Sequence, residues 1–176
     1  MKQNFVDSYV VFDTETTGLK DQVDQIIEIG ALKVIDNEVV EEFDVLINPE
    51  TEIPEIITEI TGITQEMVVQ EKTISEVLPK FLEFVGDLPV VCHNAPFDIG
   101  FINANLKRFN LESFENQAID TVELARIFIP QAYNYKLETL KKYFHLEYGS
   151  HRSVDDCKTT NYIYQECKKR ALERIS

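Results

Sequence analysis

The sequence is poor in cysteine, in basic residues and in long apolar runs, and each shortage excludes a class of protein. Its three cysteines lack a C-x-x-C spacing, which argues against a disulfide framework and a zinc site and suits a reducing compartment. No uninterrupted apolar run has the length of a membrane span, and the first residues contain no apolar core of signal-peptide length. We therefore expect a cytoplasmic protein with no membrane partner.

The shortage of basic residues limits how this chain could bind nucleic acid. Seventeen Lys and Arg residues oppose 31 Asp and Glu residues, for a net charge of −14. Proteins that hold long duplexes neutralise many phosphates with basic side chains. The composition excludes a wrapping or sliding DNA binder. It allows a protein that holds a few nucleotides at one strand end, with bound cations offsetting the local acidity and partner proteins supplying further contacts.

The order of predicted elements indicates one α/β domain over residues 1–176, because the chain has no linker, repeat or low-complexity tract. A tight turn at Asp36 and Asn37 joins the second and third strands. We expect a mixed five-stranded sheet, with a three-strand antiparallel meander and two short parallel strands, flanked by helices. The predicted strands are 9–13, 25–35, 38–47, 88–92 and 118–121, and the predicted helices are 64–70, 75–85, 96–109, 122–128, 137–144 and 154–175.

Asp13 and Glu15 follow an apolar run that predicts a buried strand. Residues i and i+2 of a strand share a face, so both carboxylates should point the same way. No Lys or Arg lies between Tyr9 and Leu19 to separate these like charges, and oxygen ligands favour a hard cation such as Mg²⁺ or Mn²⁺. The alternative is a solvated turn at the end of a strand.

A second acidic position, Asp98, follows the predicted strand 88–92 and the polar pair His93 and Asn94. The ends of strands in α/β sheets are where sites are usually built, which favours a functional role. In the first turn of a helix, however, a carboxylate also interacts favourably with the helix dipole. The sequence alone leaves both roles open.

The third acidic segment opens the last predicted helix. If that helix begins at Ser153, His151 lies in the preceding loop, and Asp156 lies beside Cys157 close to the buried face. Spacing alone leaves the choice between Asp155 and Asp156 open. A single loop histidine is also a common surface residue.

Taken together, three segments resemble the exonuclease motifs of the DEDDh 3′–5′ exonucleases in order and spacing. They are Phe12-Asp13-Thr14-Glu15-Thr16-Thr17-Gly18-Leu19, His93-Asn94-Ala95-Pro96-Phe97-Asp98 and His151-Arg152-Ser153-Val154-Asp155-Asp156. Within the family, the chain is most similar to the proofreading epsilon subunit of bacterial DNA polymerase III and to PolC-type exonuclease domains. The segments Asp24-Gln25-Ile26-Ile27-Glu28-Ile29-Gly30-Ala31, Thr61-Gly62-Ile63-Thr64 and Ile119-Asp120-Thr121 also look like family signatures, so the resemblance spans about residues 8 to 170.

The resemblance implies a ribonuclease H-like fold and a set of site residues. It makes His151 the general base and settles the third position as Asp156. Two divalent cations, Mg²⁺ or Mn²⁺, would be held by Asp13, Glu15, Asp98 and Asp156. The substrate contacts would be Thr16 on the 3′-hydroxyl, Leu19 on the terminal base, and Asn94 and Phe97 on the next sugar or base, although each has an alternative role in a turn or in the core.

The implied activity is hydrolysis of phosphodiesters from the 3′ end of single-stranded or frayed DNA, with release of nucleoside 5′-monophosphates in proofreading or repair. A same-family exoribonuclease and a catalytically silent nucleic-acid or polymerase-binding module are the alternatives. A DNA polymerase is a candidate partner. Because Ser176 closely follows the last predicted helix, the polymerase-tethering extension of the epsilon subunit has no counterpart in this sequence, and we expect action alone or docking through another surface.

One rival enzyme class shares part of the first motif. Asp13-Thr14-Glu15-Thr16 resembles the D-x-D-x-T loop of haloacid-dehalogenase-like phosphatases, in which the first Asp is a nucleophile. That loop requires Asp where this chain has Glu15. It also leaves the pairing of His151 with Asp156 unexplained.

Overall fold

The computed structural model describes residues 5–174, and a five-stranded sheet in the order β3-β2-β1-β4-β5 forms the centre of this part of the chain. Strands β1 (Tyr9–Thr16), β2 (Ile26–Ile35) and β3 (Glu38–Leu46) form the antiparallel meander. Strands β4 (Val90–Cys92) and β5 (Ala118–Asp120) are parallel to β1. The predicted α/β fold with a mixed sheet is therefore confirmed.

Helices cover both faces of the sheet, because the side chains of β1 alternate between two apolar layers. Val10 and Phe12 pack in one layer with α3 and α4, and Tyr9 and Val11 pack in the other with α5, α6 and α7. None of the helices in the described range has the length and apolar character needed to cross a membrane. The helices are α1 (Glu55–Thr61), α2 (Gln65–Val68), α3 (Ile74–Val85), α4 (Ala95–Arg108), α5 (Thr121–Phe128), α6 (Leu137–Tyr143) and α7 (Ser153–Glu173).

Strand β1 is longer than predicted. Instead of ending at residue 13, it continues through Glu15 to Thr16, with a register shift between these last two residues. Asp13 and Glu15 therefore both lie inside the strand, on the side that faces α7. Because the strand continues past Glu15, the two carboxylates lie on one face of the sheet, as their i, i+2 spacing predicts.

Helix α1 was not predicted from the sequence. Its residues are mostly Ile and Thr, whose branched side chains lose rotamer freedom in a helix. Pro54 precedes the helix, and Gly62 ends it in the left-handed conformation at φ 72°, with its N–H bonded to the Thr58 carbonyl. Local end signals thus outweigh weak propensity here. At the other end of the chain, residue 175 of the predicted last helix lies outside the described residues.

Gly30 in β2 allows α7 to lie directly on the sheet. A Cβ atom at this position would come within 2.5 Å of the Ser153 carbonyl carbon and of the Val154 nitrogen. Only glycine permits that approach of helix backbone to strand. The close packing brings the start of α7, and with it the third acidic segment, next to the end of β1.

Candidate active site

Three carboxylates from β1 and α7 lie together at one end of the sheet. Asp13, Glu15 and Asp156 each offer an oxygen within 4.8 Å of the oxygens of the other two. All three side chains are half-buried. A set of carboxylate oxygens at this spacing is suited to a hard divalent cation, and the acidic cluster is compatible with metal binding.

The cluster is electrostatically strained without a cation. Burial, followed by the charges of Asp98 and Glu15, raises the pKa of Asp13 well above its usual range. Burial, followed by the charge of Asp156, raises the pKa of Glu15 to about 8. Burial raises the pKa of Asp156 to about 6, against the stabilising effect of the His151 N–H. A cation that binds here must displace protons, so its affinity should rise with pH.

Asp98 approaches the cluster from the opposite layer. It lies in the first turn of α4 and is almost completely buried, and its Oδ1 accepts hydrogen bonds from the Thr14 N–H at 2.9 Å and the Thr14 hydroxyl at 2.7 Å. Burial raises its pKa to about 7 although both Thr14 bonds oppose the shift. Asp98 is not one of the three carboxylates whose oxygens lie within 4.8 Å of one another. Its charge nevertheless acts on Asp13.

His151 lies on the turn that leads into α7. The helix begins at Ser153, so His151 is in the loop before it, and its side chain is exposed. Its φ of 58° is left-handed, and its backbone N–H donates to the Asp156 carboxylate at 3.1 Å. Asp155 points elsewhere and forms an ion pair with Lys158 at 3.4 Å. The geometry thus joins Asp156, and not Asp155, to the acidic cluster.

Thr16 and Leu19 extend from the end of β1. The Thr16 hydroxyl is buried and donates to the Gly18 carbonyl at 2.5 Å, which leaves its lone pairs free to accept a hydrogen bond. Leu19 is 83% exposed, so its side chain is open to contact with a ligand.

Asn94 and Phe97 lie at the start of α4. Asn94 adopts the left-handed conformation at φ 70° and is exposed. Phe97 is half-buried and packs on Phe101 with ring centroids 5.0 Å apart, so one part of the ring belongs to the core and another part faces solvent. The core and contact roles considered for Phe97 are therefore compatible with each other.

Four residues that support the site were not assigned a role from the sequence. Thr14 binds Asp98, and the Asp120 carboxylate accepts from the N–H of Asn94 at 3.0 Å. His93 bridges the Thr121 hydroxyl at 2.7 Å and the Tyr135 carbonyl at 2.8 Å, and Glu28 binds Arg152. Glu28 carried a usable signal, because a lone charge among the isoleucines of a buried strand requires a partner.

Two solved structures with a similar fold are exonucleases. Exonuclease X in complex with 5′ overhanging duplex DNA superposes with a TM-score of 0.74 at 28% identity, covering 92% of each chain. Exonuclease I of E. coli, in complex with a dA16 oligonucleotide, superposes with a TM-score of 0.83 at 16% identity, covering 96% of this chain and 42% of that one. The second likeness establishes the ribonuclease H-like fold alone.

The chain belongs to the exonuclease family RNase_T, whose model matches residues 10–164. The PolC-type DNA polymerase III of Clostridium perfringens is 45% identical over 175 residues, and that of Bacillus subtilis is 39% identical over 170 residues. These matches cover 99% and 96% of this chain but 12% of each polymerase, so the chain spans about one eighth of these relatives' length. The homology supports a nuclease, a hydrolase of phosphodiester bonds.

Proposed function

We propose that the chain is a 3′–5′ exonuclease that depends on two divalent cations and releases nucleoside 5′-monophosphates from single-stranded or frayed DNA ends. The observation that carries the proposal is the cluster of Asp13, Glu15 and Asp156 beside His151, in a member of an exonuclease family. Asp98 would complete the set of cation ligands. Residues 1–176 would form one exonuclease domain.

The side chains have distinct roles in the proposed reaction. Bound Mg²⁺ or Mn²⁺ would stabilise the attacking and leaving oxygens of an in-line displacement at phosphorus. The exposed imidazole of His151 would take a proton from the attacking water. A bond forms between the water oxygen and phosphorus, and the bond breaks between phosphorus and the 3′ oxygen of the penultimate nucleotide. That oxygen takes up a proton and becomes the new 3′-hydroxyl.

Substrate binding would depend on a few contacts at the strand end. The free lone pairs of Thr16 would accept from the 3′-hydroxyl, and exposed Leu19 would pack on the terminal base. Asn94 and Phe97 would contact the next sugar or base. Apolar contact and stacking tolerate any base, so we expect activity without sequence preference.

DNA is the proposed substrate because the similar PolC-type proteins are DNA polymerases and Exonuclease X was solved in complex with DNA. The same relatives support a cytoplasmic setting and a DNA polymerase as partner. A matched pair of DNA and RNA oligonucleotides tests this choice by initial rates. Faster cleavage of the RNA would assign the chain to the exoribonucleases of the same family.

The activity itself is tested with a single-stranded oligonucleotide, Mn²⁺ or Mg²⁺, and a matched pair of variants. A 3′ label should leave as a mononucleotide at once, whereas a 5′ label should remain on a ladder of shortening products. Asp156→Asn should abolish both signals, while Asp155→Asn, one residue away and paired with Lys158, should leave them intact. A chelator that removes Mn²⁺ or Mg²⁺ should stop the reaction.

Two outcomes would overturn the proposal. If the wild type releases no nucleotide under any of these conditions and behaves like Asp13→Ala and His151→Ala, the chain is a catalytically silent binding module. Inhibition by vanadate together with a trapped aspartyl phosphate at Asp13 would identify a phosphatase instead.

A further inference from the structure

We propose that Glu28 is a positioning residue that holds the turn carrying His151 and Asp156 against β1; this inference rests on the proposed nuclease function. Glu28 lies on β2, outside the cation cluster, and its side chain is 1% exposed. Its partners are the two residues that follow His151 in the chain.

Both oxygens of the Glu28 carboxylate accept hydrogen bonds from residues of that turn. Oε1 accepts from Nε of Arg152 at 2.8 Å and from Nη2 of Arg152 at 2.6 Å. Oε2 accepts from the Ser153 N–H at 2.8 Å, at the first residue of α7. These are charge-assisted bonds, about twice as strong as neutral ones, and they fix both the Arg152 side chain and the Ser153 backbone.

The contacts continue from Arg152 to the proposed reactive groups. The Arg152 carbonyl accepts from the Asp156 N–H at 3.0 Å, and the Asp156 carboxylate accepts from the His151 N–H at 3.1 Å. His151 adopts the left-handed backbone conformation, which is unfavourable for a non-glycine residue and therefore needs support from its surroundings. Glu28 supplies that support from a strand.

The sheet register ties this turn to the cluster. Glu28 is the cross-strand partner of Glu15 in the β1–β2 pair. One rung of the sheet therefore carries both a cluster carboxylate and the group that binds Arg152. The distance from the turn to the cluster is thus set by a single pair of hydrogen-bonded strands.

The test compares two variants that change charge in opposite directions. Glu28→Gln replaces one acceptor oxygen by an amide group that donates, opposite a hydrogen-bond donor of Arg152 or Ser153. Arg152→Met removes the guanidinium. Both should lower kcat on a single-stranded DNA oligonucleotide by about 10- to 100-fold, with KM nearly unchanged, and both should weaken Mn²⁺ binding measured by calorimetry. The double variant should be no worse than the worse single variant, because each single variant already breaks the Glu28–Arg152 pair.

A matched control is present on the same helix. Glu166 and Arg170 form a 2.7 Å ion pair in α7 away from the cluster, and Glu166→Gln or Arg170→Met should change neither kcat nor Mn²⁺ affinity. Circular dichroism checks that each variant folds. If Glu28→Gln does not fold, the prediction is read from Arg152→Met, whose side chain is 41% exposed in the wild type.

A purely electrostatic role would give a different pattern. Removing Glu28 would then weaken Mn²⁺ binding, while removing Arg152 would tighten it or leave it unchanged, and that result overturns the proposal. A raised KM for Arg152→Met alongside an unaffected Glu28→Gln would make Arg152 a substrate contact and overturn it equally. If the wild type cleaves no oligonucleotide, the proposed function fails, and the sign of the two Mn²⁺ shifts still decides the positioning role.

Discussion

At the residue scale, Glu15 shows how the acidic cluster opposes folding when no cation is present. Its pKa is about 8 in the folded protein, against about 4.3 in an unfolded chain. Between these pH values the folded state keeps a proton that the unfolded state has lost. Protonated Glu15 therefore favours the folded state. This contribution to the free energy of unfolding is complete below about pH 4.3 and is lost as the pH rises through about 8.

Glu15→Gln should therefore raise the melting temperature of the cation-free protein at pH 8 and change it little at pH 4. The same substitution should reduce the stabilisation that added Mn²⁺ gives the wild type, because one proposed cation ligand is lost. Thermal unfolding at both pH values, with and without Mn²⁺, measures this. Asp155→Asn is the control, and a Glu15→Gln variant whose melting temperature differs from that of the wild type by the same amount at pH 4 and pH 8 would contradict the account.

Ser153 provides a second prediction at this scale. Among the described residues, its Oγ is the buried side-chain oxygen or nitrogen that lacks a hydrogen-bond partner. Ser153→Ala should raise the free energy of unfolding by about 1 kcal/mol, because it removes an unsatisfied buried hydroxyl. Urea denaturation measures the change, with Ser75→Ala, an exposed serine, as the comparison.

Individual residues also show what the sequence could and could not predict. The i, i+2 spacing placed Asp13 and Glu15 on one face, because strand geometry alone determines it. Asp156 required the family resemblance, since helix spacing did not separate it from Asp155. The Glu28–Arg152 pair was missed because its members are 124 residues apart in sequence and meet only after α7 packs on β2.

At the scale of elements, the packing of α7 on β2 determines where Asp156 lies. Gly30→Ala should push α7 away from the sheet, because its Cβ would overlap backbone atoms of Ser153 and Val154, which cannot move independently of the helix. We expect a loss of about 1–3 kcal/mol in unfolding free energy and a lower kcat.

Gly100→Ala in α4 is the matched control for this substitution. There the new Cβ would meet the Asp21 carboxylate at 3.0 Å, the end of a flexible side chain, and alanine favours the helix. Chemical denaturation and nuclease rates measure both variants. Equal behaviour of Gly30→Ala and Gly100→Ala would contradict the importance of the close approach.

The sequence predicted all five strands, including the three-residue strands β4 and β5, and every helix of the described residues except α1. The turn at Asp36 and Asn37 has positive φ at both residues, 50° and 69°, as a two-residue hairpin turn requires. Helix α1 escaped prediction because its stability comes from its capping residues and not from its composition. The extension of β1 to Thr16 depends on its pairing with β2, a tertiary contact.

At the scale of the whole molecule, the net charge of −14 predicts short-range binding of nucleic acid. Few phosphates can be neutralised away from the cations, so oligonucleotides longer than a few nucleotides should gain little affinity from their added length. Fluorescence anisotropy in Ca²⁺, with oligonucleotides of increasing length and constant 3′ sequence, measures this. A dissociation constant that keeps falling steeply with length would indicate an extended binding surface.

The outer strand β3 carries Glu38, Glu41, Glu42 and Asp44 among its nine residues. An open sheet edge offers unpaired backbone groups to any strand that approaches, and carboxylates in this number repel such a strand if it carries the same charges. Two copies of this chain should therefore not join through β3 at neutral pH. Part of the acidity that disfavours nucleic-acid wrapping thereby protects the concentrated protein from edge-to-edge aggregation.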